Sequence, residues 1–213
     1  MAALPDADGA LAPDAVGPAL ERAGGVDSVV LGPGLGREPR TSVFARELAA
    51  RVQSSLVLDA DGLGAHAGAI SELAARGAAT VLTPHAGELG RMLGVDSSEI
   101  GARRLASARA AAVAADAVVV LKGDDTLVVA PDGLVGISRG GAPSLATAGS
   151  GDVLAGMIGA YLAKRMPPFA AACAAVCLHV AAAQMLAEES GHEGIMAGDV
   201  IAALPRALAR HGS

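Results

Sequence analysis

Tryptophan is absent from this 213-residue chain, and Phe44, Phe169 and Tyr161 are its only Phe or Tyr residues. That scarcity excludes a single-strand nucleic-acid binder, which needs rings for bases to stack on and a basic groove to follow the backbone. An excess of basic charge is also lacking: 16 Lys and Arg face 22 Asp and Glu, a formal net charge of −6. The acidic balance disfavours nucleic acid and anionic membrane surfaces, although one Lys and a few backbone amides can still hold a phosphate locally. Cysteine is nearly absent. Cys173 and Cys177 lie one helical turn apart in an apolar run, which predicts a reduced pair facing the core. His179 falls about 200° round the helix from Cys177, so it cannot complete a metal site with them. The start, MAALPDADGALAPDA, has neither a basic n-region nor a long apolar h-region, so no signal peptide is read and the cytoplasm is expected. Phe169 to Ala187 carries no formal charge, but it is dominated by Ala and includes His179 and Gln184. It reads as a buried helix rather than a membrane span.

What the chain does have is alanine, valine, leucine and glycine. Short Val/Leu runs at Ser28 to Leu31, Ser55 to Leu58, Thr80 to Leu82 and Ala117 to Leu121 alternate with Ala-rich helical stretches. Strands apolar at consecutive positions are buried on both faces, which predicts a parallel sheet covered by helices on each side. After Leu121 the rhythm changes. Leu127 to Ala130 and Leu134 to Ile137 flank Pro131-Asp132-Gly133, a hairpin signal that predicts an antiparallel edge. Three helices are then expected, over about Gly151 to Lys164, Pro168 to Glu188 and Ala197 to Arg210, separated by turns bearing Pro and Gly. No linker or internal repeat divides the chain, and its length suits one α/β domain.

Each strand ends in a polar or Gly-rich turn, and in open parallel sheets ligands bind outside the carboxyl ends of the strands. The last turn, Ala146-Thr147-Ala148-Gly149-Ser150-Gly151-Asp152, runs into a helix. Its amides and the helix dipole suit a phosphate, and Gly149 and Gly151 allow close approach. Asp152, in the first helical turn, could take the proton from a hydroxyl attacking that phosphate, or it could merely favour the helix N-terminus as acids do. Lys122 opens the turn Lys122-Gly123-Asp124-Asp125-Thr126 and is either a point charge on a phosphate or an exposed loop lysine. His85 precedes a helix whose first turn holds Glu88. Glu88 serves capping, and His85 is a polar substrate contact or a surface His. Asp59 and Asp61 make a metal or hydroxyl site, or an Asx-type turn. The run Gly32-Pro33-Gly34-Leu35-Gly36 is uninformative alone.

Taken in order, VVLGPGLG, LVLDADGL, VLTPHAGEL, VVVLKGDDTLVVAPDG, LATAGSGDVLAGMIGA and IMAGDVIAALP resemble the signature of the NAD(P)H-hydrate dehydratases, members of the ribokinase-like superfamily. The resemblance is collinear from about Asp27 to Leu208. It implies a three-layer αβα sandwich with a mainly parallel sheet and an antiparallel edge hairpin. It also implies a reaction in which a hydrated nicotinamide cofactor is restored to NADH or NADPH with ADP or ATP as phosphoryl donor and release of phosphate, Mg²⁺ accompanying the nucleotide. By the same resemblance Asp152 is the base and contacts substrate, and Gly34, Gly36 and His85 contact the hydrated dinucleotide. Lys122, Gly123, Asp124, Asp125, Thr126, Gly149, Ser150 and Gly151 bind nucleotide, and no protein metal ligand is assigned.

The family carries a further N-terminal segment with a strand, a helix and a small residue contacting substrate. The chain is therefore expected to be a single dehydratase domain over residues 1–213 that lacks this segment. Family members also have Asn in the hairpin before the ATAGSGD loop, where this chain reads Ser138-Arg139-Gly140-Gly141-Ala142-Pro143, and Ala142 offers no side-chain hydrogen bond. Two other readings stand beside the dehydratase. One is a small-molecule kinase acting on a vitamin-precursor alcohol. The other is a non-catalytic nucleotide-binding or assembly protein on the same fold. The resemblance further suggests a homo-oligomer, with the Ala-rich helix as its interface.

Overall fold

The computed structural model describes residues 4–138 and 141–211. Two short antiparallel strands, β1 (Asp6–Ala7) and β2 (Ala10–Leu11), precede helix α1 (Val16–Ala23). The main sheet has six strands: β3 (Ser28–Leu31), β4 (Ser55–Leu58), β5 (Thr80–Leu82), β6 (Val118–Leu121), β7 (Leu127–Val129) and β8 (Val135–Ile137). They lie side by side in chain order. The first four run parallel, and β7 and β8 turn back antiparallel. This is the expected mainly parallel sheet with an edge hairpin. At the hairpin turn Gly133 takes φ +95°, and Leu134 N–H donates to Asp132 Oδ1 at 3.1 Å.

Alternation along each strand sorts side chains between two helical layers. Leu56 and Leu58 of β4, Leu82 of β5, and Val119 and Leu121 of β6 face α2 (Pro39–Arg51) and α6 (Arg104–Ala115). Val57, Val81, Val118 and Val120 face α7 (Ser150–Ala163) and α8 (Pro168–Ser190). The three-layer αβα sandwich of the ribokinase-like fold follows directly. Full burial of each such Leu or Val contributes about 1.5–3 kcal/mol before the cost of ordering the chain.

The crossovers use α2 between β3 and β4, then α3 (Ala60–Gly64) and a 3₁₀ turn (Ile70–Ala75) between β4 and β5. Next come α4 (Ala86–Leu93), α5 (Ser97–Ala102) and α6 before β6. Helix α7 closes the opposite face over β3 and β4. Gly159 makes this approach possible, since a Cβ there would stand 2.7 Å from Val30 Cγ2, and the Ser28 hydroxyl donates to the Gly159 carbonyl at 2.7 Å.

Helix α8 is long and apolar enough to cross a membrane, yet Ala171, Ala172, Ala175, Val176, His179, Ala182, Ala183 and Met185 are buried, packed on β6, β7, α7 and α9 (Ala197–His211). The expectation for its cysteines needs correction: Cys173 is half-buried but Cys177 is exposed. The α8 face that meets the sheet passes through Ala171, Ala175 and Ala182, which turns Cys177 outward. Arg139 and Gly140 of the hairpin departure lie outside the described residues.

Candidate functional site

The carboxyl ends of β3, β4, β5 and β6 lie together, because Leu31 pairs with Leu58, Leu58 with Leu82, and Leu82 with Val119. The loops after them therefore converge. Gly32 is required at this junction: its φ is +133°, and a Cβ would fall 1.8 Å from the Asp59 carbonyl oxygen. Asp61 then fixes the Gly-rich turn by accepting from Gly36 N–H at 3.1 Å and from Arg37 Nε at 2.8 Å. Ala60 between the two aspartates sits at φ +47°, an uncommon conformation for a residue with a Cβ. Among the described residues no group of three or more His, Cys, Asp or Glu is arranged to hold a metal by itself. Through its bonds to Gly36 and Arg37, Asp61 clamps the loop.

Asp59 does something different. Only 1% exposed, it accepts from the Thr83 hydroxyl at 2.8 Å and from Lys122 Nζ at 2.9 Å, both on Oδ1. Lys122 Nζ also lies 3.8 Å from Glu88 Oε2. Lys122 is consequently no free loop lysine; its ammonium sits between the carboxylates of Asp59, at the end of β4, and Glu88, in the first turn of α4. It also faces the last loop, standing 3.4 Å from where a Gly151 Cβ would be. A side chain at position 151 would crowd it.

His85 caps α4. Its Nδ1 accepts from Gly87 N–H at 3.0 Å and Glu88 N–H at 3.3 Å, while Glu88 Oε2 accepts from His85 N–H at 2.9 Å. This reciprocal box satisfies orphan amides at the helix start, and it bears out the capping expectation for Glu88. His85 is also more than a cap, because its side chain lines the cavity described next.

Gly149, at φ +85°, is the N-cap of α7, and no side chain caps that terminus. The amides of Gly149 and Gly151 make no hydrogen bond with the described residues, as an anion loop requires, whereas Ser150 N–H donates to the Thr147 carbonyl at 3.3 Å. The Ser150 hydroxyl is engaged as well, donating to the Leu145 carbonyl at 2.6 Å. Beside this loop lies a cavity of about 890 Å³. Lys122, Gly123, Asp124, Thr126, Ser150 and Gly151 line it; Asp125, Gly149, Asp152, Gly34 and Gly36 do not. Asp152 is exposed in the first turn of α7, makes no hydrogen bond or ion pair with the described residues, and adjoins the cavity through Gly151.

Sequence reasoning missed Arg104 and His179. From α6, Arg104 Nη2 donates to the carbonyls of Leu121 at 3.2 Å and Asp125 at 2.8 Å, which shapes the Lys122–Thr126 turn from behind. Its guanidinium fills the space a side chain at Gly123 would need, with Nη2 at 2.6 Å from that Cβ position. His179 is 5% exposed on α8 and lines the cavity. Burial pushes its pKa down to about 4 against a smaller opposing interaction with the Ser150 backbone, so the imidazole is neutral at pH 7. The visible signal for His179 was a single polar ring in an Ala-rich helix.

The family profile of NAD(P)H-hydrate dehydratases matches residues 8–206 of this chain. The chain belongs to that family. It is 43% identical over 200 residues to the bifunctional NAD(P)H-hydrate repair enzyme Nnr of Moorella thermoacetica, covering 94% of this chain and 38% of that protein. To the ADP-dependent (S)-NAD(P)H-hydrate dehydratase of Neisseria meningitidis it is 40% identical, covering 82% of this chain and 60% of that one. The chain thus spans less than two thirds of the length of these curated relatives. A solved ADP/ATP-dependent NAD(P)H-hydrate dehydratase from Bacillus subtilis, co-crystallised with ATP and Mg²⁺, superposes with a TM-score of 0.77 at 30% identity, covering 90% of this chain and 69% of that one.

Proposed function

We propose that this chain is a dehydratase domain that restores NADH or NADPH from the hydrated cofactor, consuming one phosphoryl group of ADP or ATP. The observation that carries the reading is Lys122, held between Asp59 and Glu88 and facing Gly151 at the uncapped start of α7. A fixed ammonium opposite the free amides of Gly149 and Gly151 is suited to a phosphoryl group in transfer. The family membership and the dehydratases named above support the substrate.

In this reading the hydroxyl of the hydrate attacks the terminal phosphoryl group of the donor, and Asp152 takes its proton. The donor leaves one phosphate shorter. Loss of the new phosphate ester as inorganic phosphate, with a ring proton, regenerates the dihydropyridine. Phosphorylation turns a poor leaving group into a good one. The amides of Gly149 and Gly151 stabilise charge on the phosphoryl group, Ser150 lines the nucleotide cavity beside them, Lys122 to Thr126 bind the nucleotide, and Gly34, Gly36 and His85 contact the dinucleotide.

Mg²⁺ fits this donor set. The ion is ordinarily held by one or two carboxylates together with phosphate oxygens and water. Asp59 at the end of β4 and Glu88 in the first turn of α4 supply two carboxylates, and Asp59 Oδ2 lies 3.8 Å from the Gly151 Cβ position without a hydrogen bond to the described residues. Bound there, the ion would neutralise phosphate charge.

The deciding assay incubates the protein with hydrated NADH, Mg²⁺ and ADP or ATP and follows NADH absorbance. Recovery with either donor is expected. Absence of recovery with both overturns the dehydratase, and phosphorylation of a small alcohol instead would install a kinase. The same reading places the protein in the cytoplasm as a homo-oligomer associating through the outer face of α8, which sedimentation checks.

A further inference from the structure

Arg104 is the first residue of α6, and the first turn of that helix holds no acidic residue. A cation at a helix N-terminus opposes the macrodipole, so local preference does not account for an arginine there. Its partners do. Nη2 donates to the carbonyls of Leu121 at 3.2 Å and Asp125 at 2.8 Å, and Nη1 and Nη2 both stand 3.5 Å from the Lys122 carbonyl oxygen. Three carbonyls of one turn are drawn to one planar group.

Peptide geometry dictates what this does on the far side of the turn. No cis peptide bond occurs among the described residues, and across a planar trans unit the N–H points opposite to the preceding C=O. With the Lys122 carbonyl turned towards Arg104, Gly123 N–H is turned away from it, and the Asp125 carbonyl does the same for Thr126 N–H. Gly123 and Thr126 line the cavity beside the anion loop, and Arg104 does not. Neither amide donates to a described residue. Lys122 N–H, turned away by the Leu121 carbonyl, is by contrast taken by the Pro84 carbonyl at 2.9 Å.

Free backbone donors at a cavity wall call for an acceptor, and amides presented together by a turn make a concave anion site. The charge behind them reinforces it. The guanidinium has carbonyls and no carboxylate as hydrogen-bond partners among the described residues, so its positive charge is not neutralised by an ion pair. Lys122, next to Gly123 in the chain, faces Gly151 of the anion loop, which sets this turn alongside the place given above to the phosphoryl group in transfer.

We infer that Arg104 is a positioning residue: by gathering the carbonyls of the turn after β6, it aims the Gly123 and Thr126 amides at the phosphate that stays on the leaving nucleotide. The inference rests on the nucleotide reading of this cavity and adds to it a residue outside the cavity wall. In phosphoryl transfer the leaving oxygen gains negative charge, and donors fixed in advance stabilise that charge without reorganising.

The test is calorimetric binding of AMP and adenosine, which differ only in that phosphate, to the full chain. Wild type is expected to bind AMP at least about tenfold more tightly than adenosine, in keeping with hydrogen bonds to a charged group. Arg104→Met is expected to bring the two within about threefold while moving the adenosine affinity by less than about twofold. Gly123→Ala reaches the same point without removing the charge or any amide. Its backbone lies outside the left-handed region, and the three nearest heavy atoms to its new Cβ, at 2.6–2.9 Å, all belong to the guanidinium, which must move aside. The same loss of preference is expected there, and this variant decides the matter should Arg104→Met fail to fold. An unchanged AMP preference in folded Arg104→Met overturns the inference. So does an equal loss of both ligands, which would mark a residue that merely props the turn. Wild-type protein that binds ADP but takes AMP no more tightly than adenosine overturns the inference alone, whereas failure to bind ADP at all removes the nucleotide reading and the inference with it.

Discussion

Lys122 Nζ lies 2.9 Å from Asp59 Oδ1 across 63 residues of sequence, and the carboxylate is buried at the end of β4. Removing one member of such a pair leaves the other desolvated without compensation. Asp59→Asn is expected to lower stability by about 2–3 kcal/mol, below the range for a fully buried pair because the Lys122 side chain retains 24% exposure. Urea denaturation of Asp59→Asn, Lys122→Met and the double variant checks this. The double variant should recover part of the loss, and strict additivity would contradict the coupling.

Asp152 is exposed and unpaired with the described residues, so replacing it disturbs little else. Asp152→Asn is expected to leave the melting temperature unchanged and the ADP affinity within about threefold of wild type. Turnover should fall by about 10²–10⁴-fold, the usual share of general-base catalysis. Wild-type turnover in the hydrate assay would remove Asp152 from the base role.

Gly32 and Gly34 provide a matched pair. Both have positive φ, but a Cβ at Gly32 would meet the Asp59 carbonyl oxygen at 1.8 Å, while at Gly34 nothing lies within 4 Å. Gly34→Ala should cost about 1–2 kcal/mol, the left-handed penalty alone. Gly32→Ala should cost more than about 4 kcal/mol, because two backbone segments must part. Thermal melts of the two proteins make the comparison.

Acid should weaken the fold through its buried histidines. Burial lowers the pKa of His66, and that of His179 falls to about 4. The unfolded chain therefore binds more protons than the native one between about pH 6.5 and pH 4. Stability is full above the unfolded value and declines as pH falls through that window, by up to about 3 kcal/mol for His179. Comparing urea unfolding at pH 7.5 and pH 4.5 in wild type and His179→Gln isolates that share, and an equal pH slope in both would refute it.

The sheet was legible because its strands are runs of Val and Leu bounded by Gly and Asp. Each of the six expected strands forms, with Ala117, Ala130 and Leu134 trimmed from the ends. The loops at the strand ends were legible for the same reason. Their joining was not. The pairing of Asp59 with Lys122, the hold of Arg104 on the turn after β6 and the turning away of the Ser150 hydroxyl depend on how strands far apart in sequence are juxtaposed, which no local pattern encodes. Helical periodicity placed Cys173 and Cys177 on a common face, but it did not say how far round α8 the packed surface extends; that limit leaves Cys177 outside.

The bond from the Ser28 hydroxyl to the Gly159 carbonyl joins positions 131 residues apart. During synthesis β3 and β4 emerge long before the helix that covers their second face. Val57 and Val81, fully enclosed in the finished protein, must wait in water or in transient contacts until α7 arrives, because among the described residues nothing earlier in the chain packs on that side. Closure of such a long loop slows folding and prolongs exposure of apolar strand surface. Nascent chains halted before about residue 160 should therefore engage chaperones and aggregate, while those released past α8 should collapse to the native sandwich.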